Sequence, residues 1–236
     1  MIPQGPAFMS SIKKGIPPAW KTDHPAMLEF IQSLSGDICM AWSAWSLGLS
    51  VSTYTVSGVG VGAWAGSGSG AKLVQGPPFN VVITWKYKEF EHFKKFGDAI
   101  TKEYKAAFAQ YCDTFKFSPA VFTGTCGSSG PLPPPAPPVP GPVAAVTPPM
   151  PLATAKADAK LPDALKSKII SDLPSSWDNN SSFIKIIVGA LQDATSEHFK
   201  LWEASSMFTG DSFSFPLADP ITGAAAGPSL GIGKIV

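Results

Sequence analysis

The chain has 236 residues, 44% of them hydrophobic and only 15% charged, with a formal net charge of +1. That is enough apolar material for a buried core and excludes wholesale disorder. All 18 basic residues are lysines, which argues against phosphate and nucleic-acid readout, where the planar guanidinium is the usual tool.

In chain order, residues 1–8 lack a basic region followed by an apolar run, so no secretory signal peptide is expected. Ile12–Trp20 reads Ile, three residues, Ile-Pro, two residues, Trp. Asp23-His24-Pro25 is a helix start, with Asp as cap and Pro in the first turn. Met27, Ile31, Leu34, Ile38, Ala41 and Trp45 then follow at steps of four and three, the seam of helices that pack side by side. The uncharged segment 38–56 has about the length of a membrane span. Its serines, threonines and Gly48 instead read as a buried helix passing into an extended segment. Ser50–Val56 is rich in strand formers, and the glycine run 58–70 is small enough to pack closely on other backbone.

A second seam runs through Glu89, Phe93, Phe96, Ile100, Glu103 and Ala107, widened by Phe90, Tyr104 and Phe108. Its other face alternates lysines with acids, the pattern of a solvated helix. Thr114–Phe117 is again strand-like, and Pro131–Pro151 reads as a polyproline-II linker that could span about 60 Å. A third seam, Ile184, Val188, Leu191, Thr195, His198 and Trp202, follows a helix start at Trp177-Asp178.

These segments repeat. Ile169–Trp177 matches Ile12–Trp20 at an offset of 157, and the interval from Trp20 to Trp45 equals that from Trp177 to Trp202, 25 residues each. At an offset of 62, Leu28, Ile31, Leu34, Ile38 and Trp42 fall on Phe90, Phe93, Phe96, Ile100 and Tyr104. Asp113–Pro119 also resembles Asp211–Pro216, and both lead to Thr-Gly. The middle copy lacks the Pro-x2-Trp opening. The organisation expected is a module over 1–76, a second over 77–130, a Pro-rich linker over 131–160 and a third module over 161–236. The fold class is α+β: each module is a seam helix, an extended segment and a Gly- or Pro-rich tail.

One helix cannot bury its own seam, so the three are expected to form a pseudo-threefold bundle. Its interface would comprise Ile31, Leu34, Ile38 and Trp45, then Phe93, Phe96 and Ile100, then Val188, Leu191 and Trp202, with Trp20 and Trp177 as repeated anchors. Ala41, Glu103 and His198 would share one layer, with a Glu103–His198 hydrogen bond as its polar content.

No catalytic or metal constellation emerges. His24, His92 and His198 have no ligand spacing to Cys, Asp or each other, so no metal and no cofactor is expected. Cys39, Cys112 and Cys126 give neither a disulfide framework nor a CxxC site, which favours a reducing compartment and buried thiols. Residues 58–62 lack the Lys-Ser/Thr of a phosphate loop, and no GxSxG elbow is present. Among the seven tryptophans, Trp64 alone, within a glycine run, stands out as a surface contact.

The repeated unit resembles modules of structural proteins from tailed-phage tails and contractile injection systems, where short chains with small uncharged tails decorate or cage a baseplate and spike. The resemblance implies a non-enzymatic structural subunit of a symmetric particle, assembled in the cytoplasm with itself and with other structural proteins. It carries over no functional residue. Two other readings follow from the residues: an envelope-associated protein inserted through 38–56, and a glycan- or peptide-binding module using exposed aromatics.

Overall fold

A computed structural model describes residues 3–51, 54–61, 63–69, 72–86, 90–117, 120–128, 140–146, 150–151, 156–157, 161, 165–175, 182–210, 229–231 and 233–235. Within these, only the backbone is described for 54–69, 117–157, 182 and 208–235. Helix accounts for 72% of the residues whose side chains are described. The strand pair lying wholly in that set, Ser50–Val51 with Leu73–Val74, has two residues on each side.

The chain forms two compact units, each discontinuous in sequence. The first comprises Met1–Gly48, Gln75–Cys112 and Lys160–Trp202; the second comprises Leu49–Val74, Asp113–Ala159 and Glu203–Val236. Each of the stretches 1–76, 77–130 and 161–236 contributes to both, so the compact bodies of this fold are not the sequence blocks. The chain passes from the first unit to the second after Gly48, Cys112 and Trp202, each time at or near the end of a long helix.

The helical unit begins with α1 (Gly5–Lys14), which has Pro in its first turn and Lys13 and Lys14 in its last, where they complement the carbonyl end. Phe8 and Ile12, one turn apart, are fully buried. The short α2 (Trp20–Asp23) leads into α3 (Pro25–Leu47). Helix α3 starts at Pro25 as expected, but its cap position is His24 rather than Asp23. It ends because the Gly48 N–H closes on the carbonyls of Ala44 and Trp45. The stretch 38–56 is therefore divided: helix to Leu47, then strands from Ser50 and Tyr54. Among the described residues, no helix is long and apolar enough to cross a membrane.

Helix α4 (Glu91–Thr114) and helix α6 (Ser182–Ser205) have 24 residues each, against 23 in α3. Between them lies α5 (Leu165–Asp172), which buries Leu165 and Ile169. Phe90 precedes α4 and is 61% exposed, so it does not widen the apolar face as expected from the spacing. Helices α1 and α5 were not legible as helices in the Ile-x3-[Ile/Leu]-Pro motif. Each is short, and the Pro that follows it signals only where it must end.

In the second unit, strands from all three modules pair antiparallel. One sheet has the order β11 (Ser229–Gly231), β2 (Tyr54–Val61), β3 (Ala63–Ser69), β6 (Ala120–Ser128), β7 (Pro140–Val146). The other has the order β4 (Leu73–Val74), β1 (Ser50–Val51), β12 (Gly233–Ile235), β10 (Met207–Gly210), β8 (Met150–Pro151). A small third sheet joins β5 (Lys116–Phe117) to β9 (Lys156–Ala157). The glycine run thus contributes to a hairpin whose register brings Gly58 opposite Gly66 and Gly60 opposite Trp64.

The Pro-rich linker expected over 131–160 also differs from a free polyproline helix. Pro140–Val146 pairs with β6, and Met150–Pro151 pairs with β10. Both proline-bearing strands are sheet edges. Proline lacks the N–H that an inner strand would donate, so an edge is where a proline strand is tolerated.

Candidate helix-packing interface

Of the ten residues expected to form the helix interface, Phe93 is half-buried and the other nine are buried. Ile31, Leu34, Ile38, Trp45, Ile100, Val188 and Leu191 are fully enclosed. The three long helices meet through rings. Phe30 of α3 lies 5.2 Å from Phe93 of α4. Trp42 and Trp45 of α3 lie edge-on to Phe108 of α4, at 5.1 and 4.8 Å. Tyr111 of α4 lies 4.8 Å from Phe199 of α6. Trp42 contacts Phe199 at 5.7 Å, and Trp45 contacts Trp202 at 5.2 Å. The last two pairs are residues related by the 157-residue offset, each touching its own counterpart. Such ring pairs add about 0.5–1.5 kcal/mol each beyond the apolar area they bury.

The cluster favours packing over polar satisfaction. The indole nitrogens of Trp42 and Trp45 are buried without a hydrogen-bond partner, a loss of about 1–3 kcal/mol per group that the ring contacts must offset. Thr195 is better placed. Its hydroxyl donates to the Leu191 carbonyl at 2.7 Å, so its one proton is used. The Tyr104 hydroxyl, 2.6 Å away, is therefore the donor to Thr195 Oγ1. Burial pushes the Tyr104 phenol above its ordinary range, which keeps it a donor.

The expected Glu103–His198 hydrogen bond does not form. Both residues are buried, as is Ala41, but each has other partners. His198 Nε2 shares a 3.2 Å hydrogen bond with Ser11 Oγ of α1 and packs edge-on against Phe8. Glu103 faces α5, where Lys102 Nζ sits 2.7 Å from Asp172 and 3.7 Å from Glu103. The seam spacing places residues on a helix face but cannot foresee helices α1 and α5, which take these polar groups. Burial raises the Glu103 carboxyl above its usual value, helped by a hydrogen bond to Asp172. The Lys102 ammonium holds the Asp172 carboxyl below its usual value. Of the two acids, Glu103 is therefore the one that takes up a proton first as pH falls.

Trp20 is buried and stacks on Phe183 at 4.1 Å, with His24 edge-on at 5.5 Å. Trp177 lies outside the described residues. Trp64 is in β3, opposite Gly60 and Gly124, and its side chain is likewise outside them, as is that of Cys126. Cys39 and Cys112 are buried, and burial pushes the Cys39 thiol up to about 12. Among the described residues no group of His, Cys, Asp and Glu is placed to hold a metal ion.

Sequence reasoning missed Asp37. It is 2% exposed and accepts from the Thr84 backbone N–H at 2.9 Å and the Thr84 hydroxyl at 2.8 Å. It thereby fixes the extended segment 79–86 to α3. An acid directly beside the seam residue Ile38, in the middle of a largely apolar helix, was the available signal.

No protein family, curated protein or solved structure matches this chain.

Proposed function

We propose that this chain is a non-enzymatic structural subunit of a larger symmetric assembly, of the kind found in phage tails and contractile injection systems. In this reading one chain stands in for three equivalent subunits. Its long helices form a pseudo-threefold bundle, and its strands and tails carry the association with neighbouring chains. The observation that carries the reading is the use of one aromatic seam by all three helices, with Trp42 on Phe199 and Trp45 on Trp202 as counterpart pairs. The shared passage from helix to strand at the end of each long helix supports it. So do the sheets, whose strands come from every part of the chain.

The mechanism is packing. Helix seams bury against one another, edge strands offer unpaired backbone groups to further strands, and uncharged tails desolvate cheaply on contact. Electron microscopy of the purified chain at high concentration, without detergent, tests the reading. Particles of several chains with rotational symmetry are expected. A uniform field of single-chain particles would contradict it.

A further inference from the structure

The short helices α1 and α5 are counterparts in the repeat. Phe8, Ile12 and Ile16, along α1 and just beyond it, correspond at the offset of 157 to Leu165, Ile169 and Leu173, and all six are buried. Each short helix also reaches a long helix of another module, and at the same two positions. Glu197 and His198 of α6 correspond, through the two offsets, to Lys102 and Glu103 of α4. At α1, Lys14 meets Glu197 at 3.3 Å and Ser11 meets His198 at 3.2 Å. At α5, Lys102 donates to both oxygens of Asp172 at 2.7 Å, and Glu103 is hydrogen-bonded to the same carboxyl. The buried titratable group thus meets a hydroxyl under one short helix and a second acid under the other.

We propose that Glu103 and Asp172 form a proton-operated latch, which holds the end of α5 on α4 while Glu103 carries its proton and loosens it once that proton is lost. With its proton, Glu103 donates to the Asp172 carboxylate, and Lys102 balances the one negative charge. Without it, two carboxylates share Lys102, one of them buried, and no donor stands between them. The other charges that face Glu103 are few. Lys168 of α5 adds a more distant cation, and Lys95 and Asp98 of α4 line the small hollow that Lys102 and Asp172 share. Helix α5 has little else to secure that end. It is eight residues long, and Asp172 is its last residue, at the carbonyl end, where an acid is unfavourable. Burial holds the Glu103 carboxyl above its usual value, so the latch is closed at low pH and is lost as pH rises through that folded value. A short helix with three buried apolar residues can open without the rest of the unit. This inference does not depend on the assembly reading.

Amide hydrogen exchange of the full chain over a pH series, corrected for the intrinsic chemical rate, tests the latch. Protection over Leu165–Leu173 should fall as pH rises through the Glu103 titration, while protection of α1 holds. Glu103→Gln keeps a donor toward Asp172 and cannot ionise, so α5 should stay protected across the same range. Asp172→Asn removes the second acid and leaves Lys102 to Glu103, and it should abolish the fall as well. Wild-type protection of α5 that does not change with pH overturns the proposal. So does the same fall in the wild type and both variants, or an equal fall in α1.

Discussion

Trp45 and Trp202 lie with ring centroids 5.2 Å apart although 157 residues separate them in sequence. Both are at least 98% buried, and the same cluster holds Phe108, Tyr111 and Phe199. Each tryptophan therefore anchors one long helix to the others. Trp202→Ala should cost about 3–5 kcal/mol, the range for removing a large buried aromatic. A denaturation midpoint that barely moves would show that α6 does not depend on this contact.

The Tyr104–Thr195 hydrogen bond predicts an asymmetric pair of variants. In Tyr104→Phe, Thr195 still donates to Leu191, and the loss should be about 1 kcal/mol. In Thr195→Val, the buried Tyr104 hydroxyl loses its acceptor, and the loss should be larger, about 1–3 kcal/mol. Urea unfolding of the two proteins compares them directly. Equal losses would mean that Tyr104 finds another acceptor.

Stability should depend on pH through Glu103 and Asp172, in opposite senses. The folded state raises the Glu103 carboxyl, so its contribution is present below the ordinary carboxylate range and is lost as pH rises through the folded value. The folded state lowers Asp172, so its contribution is present above that range and is lost as pH falls through the depressed value. Glu103→Gln keeps a donor toward Asp172 and cannot ionise. It should flatten the decline on the high-pH side and leave the acid limb in place. An unchanged profile there would mean that Glu103 does not titrate across the transition.

Two glycines should respond with opposite signs. Gly36 lies within α3 with no atom near its missing Cβ, so Gly36→Ala should stabilise by about 0.5–1 kcal/mol through helix propensity. A Cβ on Gly76 would lie 2.6 Å from the Gly48 carbonyl oxygen, which itself accepts the Gly76 N–H at 2.9 Å. Backbone cannot yield as a flexible side chain does, so Gly76→Ala should destabilise by about 1–3 kcal/mol. Thermal unfolding of both variants reads the signs.

Much of the helical unit was legible in the sequence because one physical signal, apolar residues at steps of three and four, specifies both a helix and its buried face. Ile31, Leu34, Ile38, Ile100, Val188 and Leu191 follow it into the core. What was not legible depends on contacts between distant segments. The partners of His198 and Glu103 belong to α1 and α5, which are too short to display a period. The strand Pro140–Val146 escapes a reading by composition, because proline is compatible with a sheet only at an edge, and edges are set by the neighbours. The internal turn of Asp37 toward Thr84 likewise requires a segment 47 residues away.

The central claim, that the chain builds an assembly through its own packing surfaces, is tested most directly by its mass in detergent-free solution. Light scattering behind size exclusion, over a wide range of concentration, should give a mass that is a multiple of one chain and grows as the protein is concentrated. A mass of one chain at every concentration would contradict the claim.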